Sequence, residues 1–297
     1  MSKTLPALLA VLIAHASPAS AAEGHALPLW QVSGRHNRVY LLGSIHLLRD
    51  QDYPLPRAFF AAYEDAESLV MELDMDDMDP LEGQLLSNEL GLIKDGRELR
   101  DLMGARPYAE AERLALAAEV PLALLANAEP WFAAVNVEIM LLMRMGFNPA
   151  LGLDSQLAEL AQADGKTITG LETLREQFEL LDGLSPGAQR EMLLQALAEG
   201  VDMQDTMDGM IDAWRSGDVD YLADKMLADV SGDPELNRVI VVDRNRDWTG
   251  RIEALLDDSE DYLVIVGTLH LVGKDGVPNL LKARGHEVIQ LREEQPQ

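Results

Sequence analysis

Two histidines stand in matching surroundings near opposite ends of the chain. Gly43-Ser44-Ile45-His46-Leu47 and Gly267-Thr268-Leu269-His270-Leu271 agree position by position in residue type: glycine, hydroxyl, aliphatic, histidine, leucine. Each segment follows an apolar run, "VYLL" in the first and "YLVIV" in the second. Imidazole changes charge near neutral pH and is the commonest protein ligand of divalent metals. Two imidazoles in one cleft could share a divalent cation or work as an acid–base pair. One Gly-x-x-His segment carries little information; its duplication together with its flanks carries the inference. His15, His25, His36 and His286 lack this context.

A catalytic metal generally needs a third protein ligand and an open position. Glu72, at the end of "SLVMEL", is the first candidate, as ligand or as general base. Glu172, at the end of "TITGLE", is the second. Asp154 in "GLDSQL" reads instead as a helix N-cap, because a short carboxylate accepts bonds from free helix N–H groups. Arg244, beside Asn245 in "VVDRNRDW", could clamp a substrate carboxylate or steady a developing oxyanion. Its bland role is an ion pair with Asp243, Asp247 or another acid. Ser44 and Thr268 adjoin the histidines, but the spacing supplies neither a base nor an orienting group for a serine mechanism.

These side chains meet only if the elements carrying them do. "LWQVS" and "RVYLLGS", joined by the turn-like "GRHN", read as a hairpin that leads into His46. "PLPRAFFAAYEDAE" reads as a helix and "SLVMELD" as a strand, which completes a βαβ unit. The stretch from about 77 to 230 reads as a helical insertion, interrupted by the short strand "TITGLE". Within it, "PWFAAVNVEIMLLMRMGF" is apolar nearly all round and predicts a buried helix. The methionines gathered in this region read as adaptable core filling or as a partner-binding surface. Residues 236–258 predict one long helix, "DYLVIVGTLHLV" a buried parallel strand, and "HEVIQL" a last strand. The expected fold is α/β, with a mainly parallel sheet built from both chain ends. Ligands of such sheets bind beyond the carboxyl ends of the strands, which is where both histidines should fall.

Composition narrows the partners. The 297 residues include 24 basic and 51 acidic ones, a formal net charge of −27. That surface repels nucleic acid and anionic membranes, so neither is an expected partner, and a peptide or small-molecule substrate stays open. There is no cysteine, so a metal would be bound by nitrogen or oxygen. Residues 1–22 read as an export signal: a lysine, a short apolar stretch from Leu5 to Ala14, and the small-x-small sequence Ala19-Ser20-Ala21. The expected product is one periplasmic or secreted domain, residues 23–297.

"LWQVSGRHNRVYLLGSIHLL", "VMELD", "GLDSQLAELAQADGKTITGLET", "DRNRDWTGRIEALL" and "VIVGTLHLVGKDGVPNLLKARGHEVIQL" together resemble the TraB/GumN family, related to the Tiki proteins. The resemblance runs from about residue 28 to 292. It implies a fold shared with erythromycin-esterase-like and ChaN-like proteins, and a metal-dependent hydrolase site. Tiki proteins are described as cell-surface metalloproteases that use manganese or cobalt. By motif, His46 and His270 correspond to the family histidines, Glu72 to the acid after the first crossover, and Glu172 to the GLE acid. Arg244 with Asn245 corresponds to the basic-polar motif before the second histidine. Unlike Tiki proteins, this chain shows no membrane anchor. The implied activity is that of an exported hydrolase, a peptidase, with manganese, cobalt or zinc; a non-catalytic periplasmic binding protein on the same scaffold is the alternative.

Overall fold

The two apolar runs form the centre of a sheet. The computed structural model describes residues 25–75, 79–200 and 203–293; the segment read as an export signal lies outside them. β1 (Ala26–Ser33) and β2 (Arg38–Ser44) form the antiparallel hairpin. β3 (Ser68–Leu73), β4 (Thr167–Glu172), β5 (Tyr262–Gly267) and β6 (Val288–Arg292) complete a six-stranded sheet in the order β4-β3-β5-β2-β1-β6. β4, β3, β5 and β2 are mutually parallel, and β1 is antiparallel to both its neighbours. The sheet is therefore mostly parallel and drawn from both chain ends, as the residue pattern predicts.

Consecutive residues of a strand face opposite sides of the sheet, so an unbroken apolar run needs cover on both. Leu42 and Ile265 pack on one face with Phe59 and Trp214. Leu41 and Val264 pack on the other with Trp248 and Ile252. β2 and β5 pair in parallel register from Val39↔Tyr262 to Ser44↔Gly267. The segments that follow them therefore emerge side by side, and the Thr268 hydroxyl donates to the Ser44 carbonyl at 2.9 Å.

A third apolar cluster, including Leu99, Ala133, Val137 and Leu193, holds the helical part together. Two expectations change here. The helix Pro130–Arg144 buries Trp131, Ala134 and Val137 but exposes Ile139 and Met143. One alanine-rich face suffices to pack it, so it is not buried all round. The run from 236 is not one regular helix. A π-helical turn, Asn237–Val242, takes the β-branched residues and precedes the helix Asp243–Leu255. Such turns commonly mark functional sites. Among the described residues, no helix is long and apolar enough to cross a membrane.

Trp214, on the helix Met203–Ser216, locks the helical part to the carboxyl edge of the sheet. Its indole N–H donates to the Gly43 carbonyl at 2.8 Å, and its ring lies 5.3 Å from that of Phe59. The side chain is fully buried. Trp214→Ala removes a large apolar body and leaves that carbonyl without its donor. The expected loss is about 3–5 kcal/mol of stability, read by urea denaturation of the purified chain; a loss under about 1 kcal/mol contradicts the assignment.

Candidate functional site

His46 lies two residues beyond the end of β2, and His270 ends the short 3-10 turn Thr268–His270 that follows β5. Glu72 sits on β3, which pairs with the other side of β5. Gly267 is where the three meet. A Cβ built on it would come within 3.1 Å of Glu72 Oε1, 3.3 Å of His46 Nε2 and 3.8 Å of His270 Cδ2. The missing side chain is what lets both histidines and the carboxylate approach one point. Gly267 also donates its backbone N–H to Glu72 Oε1 at 2.6 Å.

Arg244 occupies the middle of the cluster. Its Nε and Nη2 each donate to a Glu172 oxygen at 2.9 Å, and Nη2 also donates to Glu72 Oε2 at 3.0 Å. Its guanidinium carbon lies 4.6 Å over the Trp248 ring, and Trp248 Nε1 donates to Glu172 at 3.0 Å. Arg244 and Trp248 share one face because they are four residues apart on a helix. A buried guanidinium is costly unless it is paired and hydrogen-bonded; here two carboxylates and an aromatic face supply that.

The two imidazoles have unlike surroundings. His270 is buried, with its ring 4.5 Å from Trp248. Its Nδ1 lies 2.7 Å from Asn245 Oδ1, and the Asn245 amide donates to the carbonyls of His270 and Asp275. That assignment of the amide puts the His270 proton on Nδ1 and leaves Nε2 as an acceptor for Arg244 Nη1 at 3.1 Å. Burial, with the positive charge of Arg244, pushes His270 down to about 3, so it is neutral. His46 Nδ1 instead contacts Asp154 Oδ1 at 3.2 Å, and its Nε2 stands 3.9 Å from Glu72 Oε1. Its side chain keeps 52% of its surface open, yet the surrounding cleft walls still oppose charge. Contact with Asp154, then the charges of Asp154 and Glu72, overcome that burial and raise His46 to about 9. Burial alone would raise Glu72, but the neighbouring cations and the Gly267 N–H hold it below the ordinary carboxylate range.

A cleft of about 230 Å³ opens over this edge, lined by His46, Glu72, Asp154, Gln177 and Ser44 with Met71 at its floor. The residues expected at the site thus fall into two layers. His46 and Glu72 face the cleft; His270, Glu172 and Arg244 lie behind them. The two imidazoles do come together at adjacent strand ends, but only His46 is open to the cleft.

Asp154 requires a correction. The helix Leu153–Asp164 is preceded by Gly152 as its cap, with no capping side chain. Asp154 turns to His46 because Gly152, lacking a Cβ, lies directly against the His46 carbonyl, and Leu153 N donates to Ile45 O at 3.2 Å. Capping preference describes a helix end facing water; here that end is docked on the loop after β2. Gln177, which donates to Glu72 Oε2 at 3.4 Å, and Trp248 were not expected at the site. The spacing of Trp248 from Arg244 was the one sequence signal for either.

This is an α/β protein whose sheet carries a buried ionic cluster and an open cleft at its carboxyl edge. The chain belongs to the TraB/PrgY/gumN family, whose family model matches residues 28–290. It is similar to the uncharacterized protein YbaP of Shigella flexneri, 22% identical over 248 residues that cover 84% of this chain and 88% of the relative. It is similar also to YbaP of Escherichia coli K12, 21% identical over 243 residues that cover 82% and 87%. No solved structure matches the chain.

The His46–Asp154 contact has a pH signature. A histidine raised in the folded state stabilises that state fully below its unfolded value of 6.5. The contribution is lost as pH rises through about 9. Proton NMR of the imidazoles is expected to show one histidine titrating near pH 9, and Asp154→Asn is expected to move it down to or below 6.5. An unchanged titration in that variant contradicts the pairing.

Proposed function

We propose that the chain is a hydrolase, with the His46–Glu72 face of the cleft as its reactive surface. The observation that supports this most is the His46 imidazole in an open cleft, held by Asp154 at 3.2 Å on one nitrogen and 3.9 Å from the Glu72 carboxylate on the other. A group kept protonated at neutral pH can hand a proton to a leaving amine or alkoxide. Asp154 fixes the ring of His46, and Glu72, held by Gly267, Arg244 and Gln177, keeps its negative charge beside that ring. Arg244 acts from behind, by keeping Glu72 ionised and aimed.

A divalent ion, manganese, cobalt or zinc, fits part of this arrangement. Among the described residues, no group of three or more His, Cys, Asp or Glu side chains is disposed to hold one. His46 Nε2 and Glu72 Oε1 are spaced as two donors to a common point, and Asp154 backs the other imidazole nitrogen as outer carboxylates do in metal sites. The acidic surroundings that keep a proton on His46 would equally favour a cation in its place. His46 and Glu72 would therefore be the holders, with His270 and Glu172 committed to Arg244. When bound, such an ion supplies Lewis-acid activation of water and of a scissile carbonyl. A peptide is the substrate that this reading favours, and export to the periplasm or beyond is its setting.

The burial of His270 favours a second reading, a binding protein that holds an ion or ligand without turnover. Both are tested by incubating the purified chain with peptide and ester libraries, with each metal singly and with chelator. The expected result is metal-stimulated cleavage that falls by about a hundredfold or more in His46→Ala and Glu72→Gln. Stoichiometric ligand binding without cleavage overturns the hydrolase reading and supports the second. N-terminal sequencing of protein recovered from its native cell is expected to start near Ala22; a retained Met1 contradicts a cleaved export signal.

A further inference from the structure

Away from the ionic cluster, the helical part borders a cavity of about 500 Å³ that is open to solvent on one side. That volume falls within the range of small-ligand sites, about 300–1,000 Å³. Its walls come from the helices Pro130–Arg144, Pro186–Glu199 and Met203–Ser216, with Leu236 and Ile240 closing one side. It shares no lining residue with the cleft at His46.

Two features of the wall define what it would accept. Met192, Met203, Met207 and Met210 all line it. Methionine side chains are flexible and polarisable, and they reshape around apolar guests of varied outline. Glu138 and Glu199 supply the charge, and the described lining residues include no lysine or arginine. Arg144 lines a neighbouring hollow with Met203, and its guanidinium donates to the carbonyls of Ala118 and Glu119. Glu199 accepts a bond from Gln195 at 2.7 Å, and burial pushes its carboxyl up. A carboxylate in that position gains from a cation, and an anionic guest would be repelled.

We infer that this cavity is a binding site for an apolar molecule with a cationic head, its chain against the methionines and its head at Glu138 and Glu199. The pocket adjoins the π-helical turn before the helix of Arg244: Ile240 of that turn lines it, and the Ile240 carbonyl accepts Arg244 Nη1 at 3.4 Å. The inference does not depend on hydrolysis.

The test uses the whole chain with its methionine methyl groups labelled with carbon-13. Dodecylamine, dodecanol and dodecanoate are titrated below their aggregation limits, by calorimetry and by methyl NMR. The expected result is saturable binding of one dodecylamine, with the largest shifts at the four cavity methionines among the 13 in the chain. Dodecanoate is expected to bind about tenfold more weakly or worse. Ala198→Phe, which fills the cavity from its rim, and Glu199→Gln are each expected to weaken dodecylamine by about tenfold. Glu110→Gln, on an exposed helix face elsewhere, is expected to change nothing. Shifts spread over all methionines, unsaturable binding, or equal affinity of the folded Ala198→Phe variant would mean adsorption to an acidic surface and overturn the site. Should Ala198→Phe fail to fold, the wild-type methyl shifts alone decide.

Discussion

The arrangement depends on a guanidinium that has been taken out of water. Removing an ion from solvent costs several kcal/mol even after relaxation. The Arg244 side chain is only 12% exposed, so its partners must come to it. They come from the ends of β3 and β4 as Glu72 and Glu172, from the turn after β5 as His270, and from its own helix as Trp248. Parallel strands end on the same side of a sheet, and this is why acids far apart in sequence can answer one cation. The π-helical turn beneath Arg244 brings the Ile240 carbonyl to the same group.

The paired histidines make a second point. Nearly identical motifs have opposite chemistry because their neighbours differ. His46 stands among acids and keeps its proton; His270 stands between a guanidinium and an indole and loses it. Neighbouring charge and burial set a pKa, and residue type supplies only the starting value. One imidazole is then available to whatever enters the cleft, and the other holds the guanidinium in place. The cluster is asymmetric although the sequence pattern that announces it is symmetric.

How much was legible in the sequence follows from whether each cue was local. The β2–β5 pairing was legible, because two matching apolar runs that both end in Gly-x-x-His ask to lie side by side. Glu72 was legible as a strand-end acid on the next strand. The partners of Arg244 were not, because the chain offers 51 acids and no local cue chooses among them. Its nearest candidates serve other residues: Asp243 pairs with Arg238, and Asp247 with Arg251. Asp154 was misread because capping is a local rule, whereas its role is fixed by Gly152 packing on a loop more than a hundred residues earlier in the chain. The methionines were readable as adaptable filling, but a sequence cannot say whether such side chains fill a core or border a hollow.

The most direct measurement is a double-mutant cycle between Arg244 and Glu172, read as unfolding free energy in urea. If the guanidinium and carboxylate form one buried pair, Arg244→Met and Glu172→Gln should each cost about 3–5 kcal/mol. The double variant should then cost well below the sum, a coupling of about 1–3 kcal/mol. Simple additivity of the two losses, or single losses within the range of surface substitutions, would mean that Arg244 does not organise this site.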